Sequence, residues 1–159
     1  MVAQEFALTY PERLKALILS GAFPKVATMG LRFEFFGGIH WIKKSPATLA
    51  WLLSKSHFRN SRYKYELREH MAKSNPEVWL SYYEHALIYD CTSRLHELEM
   101  PLLFLYGERA VWINHHARFY RNCKDATLVF VDQAFHQIPA THPQYFNPSI
   151  HEFLVRKLK

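Results

Sequence analysis

The sequence predicts an α/β fold, a small parallel sheet of about three strands with flanking helices and a long helical segment inserted after the first strand. Three observations carry this reading. Apolar runs of strand length recur at 14–20 (LKALILS), 101–107 (PLLFLYG) and 126–132 (ATLVFVD), each closed by Gly or Asp. They lack the alternation of a half-exposed antiparallel strand and suit strands covered on both faces. Between the second and third runs, residues 114–122 have helical character, giving the alternation of a right-handed βαβ unit.

The elements follow in order. Residues 1–10 (MVAQEFALTY) read as a helix, with Val2, Ala3, Phe6, Ala7 and Tyr10 on one face and Pro11 as its stop. No capping residue precedes it, so the chain is expected to be cut into rather than begun at this helix. The first strand runs to Gly21. Residues 24–98 differ in composition: they hold three of the four tryptophans, 12 of the 25 aromatics and no strand pattern. Ser45-Pro46 opens one helix there and Asn75-Pro76-Glu77 another. The latter presents Val78, Trp79, Tyr82, Tyr83, Ala86 and Leu87 as a broad apolar face. A charged, exposed helix is expected over 61–73, and Gly37-Gly38 suits either a hinge or a simple turn. Over 142–158, Tyr145, Phe146, Ile150, Phe153 and Leu154 keep helical spacing, with Pro148 expected to kink that helix or mark its first turn. The expected organisation is therefore a core of 1–23 and 99–159, with a helical insertion of 24–98.

Composition narrows the function. With 159 residues, 49% hydrophobic, 5 Gly and 8 Pro, the chain is not disordered, collagenous or low-complexity. Such a chain buries roughly 70% of its unfolded surface and needs no disulfide or metal staple. The net charge of +6 is scattered. Its densest clusters are Lys43-Lys44 and the tail residues Arg156, Lys157 and Lys159, without a reading motif, so no nucleic-acid partner is expected. No apolar run approaches the ~20 residues of a bilayer span and no signal peptide opens the chain, so no membrane partner is expected and the location is cytoplasmic. Cys91 and Cys123 are then reduced, inert thiols. His115 and His116 are adjacent and diverge on a helix, and neither H-E-x-x-H nor C-x-x-C occurs. Neither a metal nor another cofactor is expected.

Four segments resemble α/β-hydrolases. MVAQEFALTYPERLKALILSG is similar to the stretch that follows their nucleophile elbow. PLLFLYGE resembles the strand leading to their catalytic acid, and VDQAFHQIPATHPQYFNPSIHEFL their histidine loop and last helix. The helical insertion falls where that family carries its cap. The order matches over essentially the whole chain, which implies the C-terminal portion of an esterase- or lipase-like hydrolase. The resemblance makes His136 the general base. Two departures accompany it. The chain contains no G-x-S-x-G, the turn that presents the nucleophile. Where the family reads G-x-x-D, this chain reads Gly107, Glu108, Arg109, Ala110, with a methyl group in place of the acid. Glu108 is the substitute-acid candidate. Asp132 reads as a strand-end turn residue, and Ala22, Phe23 and Pro24 offer no carboxylate after the first strand.

In the insertion, Phe36, Trp41, Trp79 and Tyr83 either line a substrate pocket or pack the cap. The expected function is that of a carboxylic-ester hydrolase fragment, inactive alone. The alternative is a non-catalytic, self-associating module that binds a small apolar ligand. The unpaired edge of the first strand, with Leu14, Ala16 and Ile18, points to a homodimer.

Overall fold

The computed structural model describes residues 1–158; Lys159, one of the tail cations, lies outside the described residues. The chain divides into two compact units, Met1–Lys25 with Tyr89–Lys159, and Val26–Ile88. The sequence reading put these bounds at 24 and 98. Residues 89–98 go with the first unit because Cys91, Leu95 and Leu98 are buried there. Tyr89 and Arg94 also bond the Glu5 carboxylate, at 3.1 and 2.9 Å.

In the first unit, α1 (Val2–Thr9) leads through a 3-10 turn at Pro11–Arg13 into β1 (Leu17–Ser20). β1 starts three residues later than its apolar run, because Leu14 still caps the turn, its N–H donating to the Pro11 carbonyl at 3.1 Å. β2 (Leu102–Gly107) lies between β1 and β3 (Ala126–Val131), and both pairings are parallel. All six residues of β2 are buried. Successive side chains of a strand face opposite ways, so β2 feeds two cores. Leu103 and Leu105 join Val131, Ala134, Ile138 and Phe153 on one side. Phe104 stacks on Tyr120 with ring centroids 4.0 Å apart.

The inward face of α1 corrects the sequence expectation. Gln4, Ala7 and Leu8 are buried, while Val2, Phe6 and Tyr10 are exposed. A buried glutamine is tolerable because its Nε2 donates to the Tyr120 hydroxyl at 2.5 Å. The helix expected at 114–122 is two short pieces, α6 (Val111–Asn114) and a 3-10 turn at His115–Tyr120. After α7 (Ile138–Thr141), α8 (Pro143–Lys157) begins with Pro143 at its first position and carries Pro148 inside. Pro148 thus neither starts nor ends the helix; it forgoes one backbone bond, to the carbonyl four residues back.

The second unit is all helical: α2 (Met29–Lys44), α3 (Pro46–His57), α4 (Ser61–Ala72) and α5 (Pro76–Ile88). The cap signals act as read. The Ser45 hydroxyl accepts from the Thr48 N–H at 3.3 Å, and Asn75 Oδ1 accepts from the Glu77 N–H at 2.8 Å. Gly37-Gly38 forms neither hinge nor turn but lies within α2. Gly38 is packed so closely on the Tyr83 ring of α5 that a Cβ there would collide with it. The apolar face of α5 is narrower than expected: Ala86 is buried, whereas Val78 and Tyr82 are exposed. Among the described residues, no helix is long and apolar enough to cross a membrane, and no group of His, Cys, Asp and Glu is placed to hold a metal ion.

Candidate active site

Parallel strands deliver their carboxyl ends to one edge of the sheet, where ligand sites of open α/β sheets gather. β1 gives way to Gly21, whose φ is +60 and whose N–H donates to the Leu105 carbonyl at 2.8 Å. Tyr106 donates its hydroxyl to the Ala22 carbonyl at 2.8 Å and fixes the same turn. β2 ends at Gly107, and β3 runs into a turn at Asp132–Gln133, where Gln133 takes a φ of 57.

The loops after β2 and β3 are stitched together. The Glu108 N–H donates to the Val131 carbonyl at 3.1 Å and the Arg109 N–H to the Ala134 carbonyl at 2.9 Å. The Arg109 guanidinium lies 5.9 Å from the centre of the Phe135 ring. Asn114 Nδ2 donates to the Glu108 carbonyl at 3.0 Å and closes the acid-position loop from the other side. Two glycines make this seating sterically feasible. A Cβ on Gly107 would run into the carbonyl oxygens of Ala134 and Phe135, and one on Gly21 into the imidazole of His136. His136, half-buried, is therefore laid directly on the backbone at the end of β1. Its carbonyl accepts from the Ile138 N–H at 3.0 Å, which starts α7.

The other candidate residues fall as follows. Ala110 closes a turn on Gly107, its N–H 3.0 Å from the Gly107 carbonyl, and offers a methyl group. Glu108 is exposed, and among the described residues its carboxylate has no hydrogen-bonding or ionic partner. Asp132 is exposed and accepts from its neighbour Gln133 at 3.1 Å, as a turn residue does. Burial pushes the thiols of Cys91 and Cys123 above their ordinary range, which disfavours a thiolate nucleophile.

The four aromatics named for a pocket do not come together around a cavity. Phe36 is exposed; it is Phe35, about 100° around α2 on its buried face, that meets Tyr83, at 5.2 Å. Trp79 meets the Tyr83 ring edge-on at 6.3 Å. Trp41 lies under the Lys44 ammonium, 5.5 Å from it. A cavity of about 450 Å³ in the helical unit is bounded instead by Thr48, Trp51, Arg68 and Glu69. Sequence reasoning missed Gly21 and Gly107 as supports of the histidine loop. The signal was available, since each glycine closes an apolar run.

His116 is more deeply buried than His136. It is fully buried, its Nδ1 is 3.0 Å from the Ile113 carbonyl, and its ring is 5.7 Å from that of Phe23. Burial, then the cations Arg118 and His115, lower its pKa from 6.5. The unfolded chain then takes up this proton first as pH falls. The contribution of His116 to stability is whole above the unfolded value and is lost as the pH drops below it. The urea midpoint is expected to fall between about pH 7 and 5, more steeply than in His116→Phe. Equal slopes in the two proteins would refute this.

A parallel sheet whose carboxyl edge carries a glycine-seated histidine loop bonded to the loop after the preceding strand defines an α/β-hydrolase fold. The family model for serine aminopeptidase, S33, matches residues 1–141, and the chain belongs to this α/β-hydrolase family. Solved structures agree in fold. A hydrolase from Pseudomonas aeruginosa PA01 is similar with a TM-score of 0.81 at 19% identity, over 96% of this chain and 60% of that one. An esterase from Exiguobacterium antarcticum gives 0.81 at 13% identity, over 93% and 62%. A bromoperoxidase from Bacillus anthracis gives 0.82 at 14% identity, over 96% and 62%. The chain thus spans about three fifths of the length of these structures. No curated protein matches it.

Proposed function

We propose that this chain carries the general-base portion of a carboxylic-ester hydrolase site and does not turn over esters by itself. The observation behind this is the seating of His136 on Gly21 in a sequence with no G-x-S-x-G and with Ala110 at the acid position. A histidine accelerates acyl transfer by taking the proton of a positioned nucleophile while an acid orients its other nitrogen. Loss of the acid alone typically costs on the order of 10⁴ in rate. Ester chemistry is favoured by a neighbour that is itself an esterase. In this reading Val26–Ile88, inserted between β1 and β2, is the cap. The test compares hydrolysis of a short-chain chromogenic ester by the wild-type chain and by His136→Ala, with equal background rates expected.

A second reading, self-association as a two-fold dimer, is favoured by one observation. Among the described residues β1 pairs with β2 alone, so its other edge offers backbone groups to a second chain. α1 also leaves Val2, Phe6 and Tyr10 exposed four residues apart, an apolar stripe of its own. Sedimentation velocity is expected to give a dimer. A monomer at every concentration would contradict it.

A further inference from the structure

Helix α2 has two apolar faces. Leu31, Phe35, Gly38 and Ile42 are buried. Met29, Phe33 and Phe36 are exposed by 64, 67 and 51%. At about 100° per residue these three fall within one narrow arc directed away from the buried set. The same arc carries His40 and is bordered by Arg32, Lys43 and Lys44, all exposed. The helix has one carboxylate, Glu34, outside that arc, and partial burial raises its pKa. Lys43 is paired with Glu84 at 3.1 Å and Lys44 lies over the Trp41 ring, yet both stay exposed, as does Arg32. One face that is apolar at its centre and basic at its margins matches a surface that is apolar below and anionic above.

We infer that the outward face of α2 docks on an anionic lipid bilayer, lying in the plane of the headgroups with Met29, Phe33 and Phe36 inserted and the cations against the phosphates. Charge complementarity selects this occupant: the arc is basic on a chain of net charge +6, and anionic headgroups attract such segments. A helix of 16 residues that lies in the interface needs no bilayer-spanning length. The absence of a spanning run, which excluded a membrane partner in the sequence reading, therefore does not bear on this face. Docking here is independent of His136.

Flotation with phosphatidylcholine vesicles, with and without phosphatidylserine, tests this. The wild-type chain is expected to float only with vesicles that contain phosphatidylserine, and less so as salt rises. Phe33→Ser with Phe36→Ser is expected to weaken partitioning about thirtyfold, and Lys44→Gln about fivefold. These positions are exposed, so circular dichroism of both variants is expected to match wild type, and His136→Ala is expected to float like wild type. No flotation with either vesicle, or flotation unchanged in the double serine variant, would overturn the inference. So would a dimer that the double serine variant abolishes while vesicles bind neither protein, because a second copy would then be the occupant.

Discussion

Gly107→Ala is expected to destabilise the chain by about 3 kcal/mol, read as a lower urea midpoint at unchanged slope. The added methyl meets the carbonyl oxygens of Ala134 and Phe135. These are backbone atoms, unable to swing aside as a side-chain tip can. Relief requires the histidine loop to lift from β2, and that strains the bonds from Glu108 to Val131 and from Arg109 to Ala134. A loss below about 0.5 kcal/mol, the ordinary scatter of surface substitutions, would mean that the loop is not seated as described.

Phe104→Ala is expected to cost more, about 4 kcal/mol. Phe104 is fully buried in the middle strand and stacked on Tyr120. Its removal opens a void between the sheet and the 3-10 turn at His115–Tyr120. It also loosens the ring whose hydroxyl accepts from Gln4, leaving a buried amide poorly served. Against a total stability of about 5–15 kcal/mol, that is a large share. Chemical denaturation measures it, and a cost under about 1 kcal/mol would show that this side of the sheet is not tightly packed.

What could be read from the sequence follows from which forces are local. β2 was legible because a fully covered parallel strand is written as a continuous apolar run, and Leu102–Gly107 is buried throughout; β1 and β3 share such runs but, as outer strands, are only partly covered. Helix starts at Ser45-Pro46 and Asn75-Pro76 were legible because a cap is a contact between near neighbours in the chain. Contacts between distant residues were not. The inward face of α1 was misjudged because Gln4 is buried by Tyr120, 116 residues away. Gly37-Gly38 suggested a hinge or a turn, and only the Tyr83 ring explains why a residue without a side chain sits at position 38 inside a helix; nothing in the structure explains Gly37. At the site, the family resemblance pointed to His136 as the base and to Ala110 at the acid position. The support that Gly21 gives His136 appears only once β1 and the loop after β3 share an edge. Phe36 and Tyr83 both sit in aromatic-rich helices, yet Phe36 points outward and Phe35 takes the contact.

We propose that His136 stands in the base position with no nucleophile to activate in this chain. Turnover of a short-chain chromogenic ester, measured at matched concentrations for the wild-type chain and His136→Ala with denatured protein as the baseline, tests that most directly. Rates within about twofold of each other and of the baseline are expected, since a base without its nucleophile and acid supplies little acceleration. A wild-type rate about 100-fold above that of His136→Ala, well within what a positioned base contributes, would contradict the account and show that His136 activates a nucleophile in this chain.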